Sequence, residues 1–107
     1  LTPFSTDAKD EKTQNFVKNY QEAYGETPIQ FAADAYDCVY AIAQALEASG
    51  VSPSDSTSDI TEALVEQFTS MTFNGLTGTD VTWNENGEVT KAPKAVVIQD
   101  GAYVSAE

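Results

Sequence analysis

The chain has 107 residues, room for one small domain and not for two. Seventeen Asp and Glu stand against five Lys and Arg with no His, giving a formal charge of −12. This argues against nucleic-acid binding and against docking on an anionic membrane, and it removes the commonest catalytic base and metal ligand. A single Cys excludes an internal disulfide and a Cys-cluster zinc site. An apolar share of 41% suffices for a core, so the acidity does not imply disorder.

No apolar run approaches the roughly 20 residues of a membrane-spanning helix. Leu1-Thr2-Pro3-Phe4 has neither a basic n-region nor an apolar h-region. With no initiator Met, and residues 1–3 reading as the end of an extended segment, the chain is expected to start inside a longer protein. A processed mature N-terminus is the alternative.

A first helix is expected over about residues 8–24, with Phe16, Val17, Tyr20, Ala23 and Tyr24 on one stripe. Gly25 stops it, and Thr27-Pro28 enforces an extended break. A second helix, residues 31–49, is apolar nearly all round. Phe31, Ala35, Val39, Ile42 and Leu46 make its expected buried face, widened by Ala32, Tyr36, Ala43 and Ala48. Cys38 lies within this pattern and reads as a buried small hydrophobe. Gly50 ends the helix, and residues 51–58 form a polar loop. A third helix is expected over about 60–69, capped by Asp59 with Glu62 at the capping-box spacing. Its buried stripe is Ile60, Ala63, Leu64, Phe68 and Met71.

After Met71 the period shortens to that of strands. Val81 and Trp83 point one way, and Asn84-Glu85-Asn86-Gly87 reads as a turn. Lys94 to Gln99 carries Ala-Val-Val-Ile, the pattern of a strand buried on both faces or at a sheet centre. Asp100-Gly101 is a strong hairpin signal, with Ala102-Tyr103-Val104 as the return strand. Three helices followed by short strands, with no parallel strands for the helices to pack on, read as the last third of something larger.

Few constellations point to chemistry. Asp34 and Asp37 could pair for acid/base work or hold a metal, although acids in a first helical turn more simply complement the helix dipole. Asp80, Asn84, Asn86 and Glu88 invite comparison with a calcium loop. Read as an EF-hand, that loop would have Thr82 at its first position and Pro93 at its twelfth, so the motif fails and a polar turn remains. Gly75-Leu76-Thr77-Gly78 lacks the Lys-Ser/Thr and following helix of a phosphate loop, and reads as a tight turn or bulge. No Ser has a His to activate it. Tyr20, Tyr24, Phe31, Tyr36 and Tyr40 cluster where the first two helices meet. Phe31 stands apart because it follows Pro28 and opens a helix, where clefts between lobes form.

Five pieces recur in order: Phe16-Val17-Lys18-Asn19-Tyr20, Tyr24-Gly25-Glu26-Thr27-Pro28, Ala33-Asp34-Ala35-Tyr36-Asp37, Phe73-Asn74-Gly75-Leu76-Thr77-Gly78 and Trp83-Asn84-Glu85-Asn86-Gly87-Glu88. Together they resemble the C-terminal third of a type I periplasmic substrate-binding protein, closest to the branched-chain amino acid (Leu/Ile/Val) receptors of ABC transporters. The likeness runs from about Pro3 to Val104. It implies an α/β fold: part of a two-lobed molecule, with residues 1–93 in one lobe and 94–107 forming the last crossover strand and a C-terminal hairpin. It implies ligand-binding positions at Phe31, which matches the family's aromatic over the ligand side chain, and more weakly at Asp34 and Tyr36. The groups that grip the ligand's amino and carboxyl ends belong upstream in the family. The partners implied are an amino acid-like ligand and an ABC permease in the membrane. No enzyme activity, cofactor, metal or nucleic-acid partner is expected, and the resemblance implies an extracytoplasmic location. Rival readings are a ligand sensor of the same fold and an acidic protein-interaction module. Self-association through the second helix and Val96-Val97-Ile98 is expected of so apolar a piece.

Overall fold

The computed structural model describes residues 4–106; the extended segment expected for residues 1–3 lies outside them. Three helices are followed by two small antiparallel hairpins, in a slab measuring 49 × 29 × 20 Å.

Helix α1 spans Glu11–Tyr24, starting three residues later than expected because Asp10 caps it. The Asp10 carboxylate accepts from the Thr13 amide at 2.9 Å, satisfying one of the first-turn donors. Partial burial works against the charged form of Asp10, but the Thr13 amide and hydroxyl outweigh it and hold the carboxyl below its ordinary value. Gly25 closes the helix in the left-handed conformation (φ 71°), its N–H donating to Gln21 O at 2.8 Å. The buried residues are Thr13 and Phe16. The outer end of the expected stripe, Ala23 and Tyr24, is exposed.

Helix α2 spans Gln30–Ser49 and turns a different face inward from the one its large apolar residues predict. The buried positions are Ala33, Asp37, Ala41 and Ala45, four apart, whereas Phe31, Val39, Ile42 and Leu46 are exposed. Two physical terms account for the difference. The alanines let α2 approach the 73–81 segment closely, and Asp37 finds there the hydrogen-bond donors that burial of a carboxylate demands. Cys38, expected to be buried, is exposed beside this face.

Helix α3 is Thr57–Ser70, longer at its start than expected. Its cap is Ser56, not Asp59: the Ser56 hydroxyl accepts from the Asp59 amide at 3.1 Å, so Asp59 lies in the first turn, where its charge complements the dipole. Ile60, Ala63, Leu64, Phe68 and Met71 are half-buried.

The chain then crosses α2 and pairs Phe73 with Val81 in an isolated antiparallel bridge. Strands β1 (Thr82–Trp83) and β2 (Val89–Thr90) extend it around the 84–87 turn. There the Asn84 side chain accepts from the amides of Asn86 and Glu88 at 3.0 and 2.9 Å. Strands β3 (Val96–Gln99) and β4 (Ala102–Ser105) form the second hairpin. Its turn carries positive φ at Asp100 (51°) and Gly101 (79°), the signature of a type I′ turn. The burial expected of β3 is not found: Ile98 is 73% exposed, because the sheet has two strands and its outer face meets no described residue that covers it. The hairpin is fastened back to the start of the chain, where the Asp7 carboxylate accepts from the Ser105 amide at 3.0 Å.

Two apolar clusters hold the slab. Phe4, Phe16, Ala33 and Leu76 form one, and Ala41, Phe73 and Val81, flanked by Phe68, Met71 and Trp83, form the other. Edge-to-face contacts tie each together, Phe4 on Phe16 at 5.9 Å and Phe68 on Trp83 at 5.0 Å. From Asn19 to Thr90 there is no Lys or Arg.

Candidate functional site

Proline at position 28 holds Thr27 extended and leaves Ile29 as the N-cap of α2 without a side-chain cap bond. The first helical turn contains no acid, so neither Asp34 nor Asp37 serves the helix dipole there. This start of α2 carries the three candidate residues, and helical geometry parts them. Phe31 and Asp34 lie about 60° apart around the axis, and Tyr36 is roughly 160° from Asp34. The Phe31 ring is 75% exposed. Asp34 is half-buried on the wall of a groove of about 590 Å³. The α2 side of that groove continues through Cys38 and Ile42, and Phe68, Trp83 and Lys91 face it.

Tyr36 faces α1. Its ring packs 4.9 Å from Phe16 and 4.6 Å from Tyr40. The Tyr36 phenol is pushed up to about 12, first by its hydrogen bond with Tyr40, then by partial burial and the nearby Tyr40 and Asp37 charges. Four of the five aromatics expected to cluster do so, since Tyr20 continues the row from Phe16 and Tyr24 stacks on Tyr20 at 4.7 Å. Phe31 stays outside it.

The sequence reading missed the role of Asp37. This carboxylate is 6% exposed and accepts three bonds: Leu76 N at 2.8 Å, Thr77 N at 2.8 Å and Thr77 Oγ1 at 2.7 Å. Lys91 Nζ in turn donates to Thr77 Oγ1 at 2.6 Å. Gly75 makes the approach feasible, because a Cβ built there would lie 2.5 Å from Asp37 Cγ. The signal was present in the sequence as Ala33-x3-Asp37-x3-Ala41-x3-Ala45, an acid on an alanine stripe, together with a Gly-x-x-Gly turn. Among the described residues no group of three or more His, Cys, Asp or Glu could hold a metal ion. No helix among them is long and apolar enough to cross a membrane.

Three helices layered beside short strands give the class of fold, and residues 1–99 match the receptor family ligand binding region. The chain belongs to that family. Its fold is the type I periplasmic-binding-protein fold, as solved structures show. A Rhodospirillum rubrum protein, assigned as a branched-chain amino acid ABC transporter, superposes with a TM-score of 0.73 at 28% identity, over 97% of this chain. The leucine binding protein LivK of Thermotoga maritima superposes at 0.69 and 24% identity over 100% of it. An ABC-transporter solute binding protein of Rhodopseudomonas palustris, in complex with 3,4-dihydroxybenzoic acid, gives 0.70 and 17% over 96%. The chain spans 29%, 28% and 27% of these three proteins, respectively. No curated protein matches it in sequence.

Proposed function

We propose that the protein is the solute-binding component of an ABC importer, holding a branched-chain or other small amino acid in a cleft between two lobes. The observation that carries this reading is Phe31, a large ring open to solvent at the uncapped start of a rigid helix. An exposed aromatic on a fixed element supplies apolar contact and size selection, while the polar anchors of the ligand come from the other parts of the site. Asp34 lies at the same lip as a weaker contact, and Tyr36 acts from behind, through its packing on Phe16 and Tyr40. Residues 1–93 belong to one lobe, and 94–107 supply the last crossover strand and hairpin. No covalent chemistry is involved: lobes close around the ligand and a membrane permease reads the closed form, which places the protein outside the cytoplasm.

The test is a calorimetric titration of the full-length receptor with L-leucine, repeated for Phe31→Ala. Loss of the ring should weaken binding by about 1–3 kcal/mol, the range for burying such a side chain. Unchanged affinity removes Phe31 from the site. A sensor of the same fold is the second reading, favoured by the family's description as a receptor region. A kinase or DNA-binding domain joined to the same chain decides for it.

A further inference from the structure

Three of the four buried residues of α2 are alanine, and an alanine stripe is a poor ruler. Apolar contact is non-directional, and side chains as small as alanine do little to fix how far α2 slides or turns against the 73–81 segment. Asp37 is different: a slide of one turn, four residues or about 6 Å, would carry its carboxylate away from the amides of Leu76 and Thr77. Hydrogen bonds are directional, and a buried polar residue among apolar ones specifies register. The start of α2 has no side-chain cap to fix it by other means. The receiving side is rigid as well: the Gly75 amide donates to Gly78 O at 2.9 Å, and Lys91 holds the Thr77 hydroxyl.

We propose that Asp37 is a positioning residue that sets the register and rotation of α2 against the 75–78 turn, and so fixes Phe31 and Asp34 at the ligand lip. Phe31 and Asp34 lie six and three residues before it on the same helix, so each error at Asp37 is transmitted to them undamped. The inference rests on the reading of Phe31 as a ligand contact.

The test is a double-mutant cycle in the full-length receptor with L-leucine as the probe, combining Asp37→Ala with Phe31→Ala. On the native background, Phe31→Ala raises Kd by about 5- to 150-fold. On the Asp37→Ala background the same change should raise it less than twofold, because the ring is no longer placed on the ligand. Equal fold-changes on both backgrounds overturn the positioning role and leave the Phe31 contact standing. If Phe31→Ala has no effect even on the native background, the site reading fails, and spin-label distances then decide the register claim alone. For these, nitroxides are placed at Glu47→Cys and Glu85→Cys in an otherwise cysteine-free background. One narrow distance should become a shifted or split distribution in Asp37→Ala, and an unchanged distribution overturns the claim. Should Asp37→Ala fail to fold, Asp37→Asn, which replaces one of the two amide-accepting oxygens by a donor, carries the same two measurements with the same outcomes.

Discussion

Gly75→Ala is the sharpest test of how α2 is attached. The added Cβ would lie 2.5 Å from Asp37 Cγ and Oδ1, about 1 Å inside ordinary van der Waals contact. Asp37 is packed and bonded on both oxygens, so the carboxylate must retreat as a unit. A retreat of about 1 Å stretches its bonds to Leu76 N and Thr77 N from 2.8 Å to beyond hydrogen-bond range. Two buried amides left without partners cost about 1–3 kcal/mol each, so the substitution should destabilise by about 2–6 kcal/mol. The reasoning also fixes a sign reversal. Gly75 does not need a positive φ. With the carboxylate already removed by Asp37→Ala, an alanine at position 75 should be neutral or stabilise by up to about 1 kcal/mol, through the lost freedom of the unfolded chain. Urea unfolding followed by the fluorescence of Trp83, the one tryptophan, measures both backgrounds. A Gly75→Ala cost that is the same with and without Asp37 would refute the close-approach argument.

The other predictions concern single groups. Ser56→Ala should cost about 0.5–2 kcal/mol by removing the cap of α3, and in a parallel urea series Asp59→Ala should cost less; the reverse order would return the cap to Asp59. Tyr36 ionises near 12 in the folded chain against 10.0 for a free phenol, so the unfolded state loses its proton first. Stability is therefore unaffected by this group below pH 10 and falls as pH rises from 10 toward 12. Absorbance at 295 nm should show one tyrosine titrating late, and Tyr40→Phe should move it back toward 10; a Tyr36 titration unchanged by Tyr40→Phe contradicts the assigned cause. Phe31→Ala should leave thermal stability within about 0.5 kcal/mol, as suits an exposed ring, and a larger loss would mark Phe31 as structural.

The parts of the fold legible in the sequence are those set locally. Gly25, Gly50 and Asp100-Gly101 each demand a backbone conformation that neighbours cannot alter, and all lie where the pattern puts them. The five-piece resemblance was legible too, because it depends on order and spacing and not on packing. Burial was less so. Counting apolar residues on α2 favours the face with Phe31, Val39, Ile42 and Leu46, yet the face that turns inward is decided by what lies opposite. Opposite lie a glycine turn and the amides of Leu76 and Thr77, which suit alanine and a carboxylate that accepts from both. Asp37 was read beside Asp34 as a pair because three residues separate them, although on the helix they serve different neighbours: one the 76–77 amides, the other an open groove. Asp59 reads as the cap of α3 on residue type and spacing alone, whereas Ser56, also a capping residue type, is selected by the path of the 51–56 loop.

The stretch from Asn19 to Thr90 holds no cation, and none of the three helices has a basic residue in its last turn. Lys91, just past that stretch, faces Asp34 and Asp37 across the groove. The other acids on α2, α3 and the first hairpin find no cation within the stretch, and mobile counterions supply most of the neutralising charge. The helical layer should accordingly gain stability with ionic strength over the range where the screening length falls from about 30 Å to about 8 Å. A layer held this way tightens in brine and loosens in dilute buffer, the reverse of one stitched together by surface ion pairs.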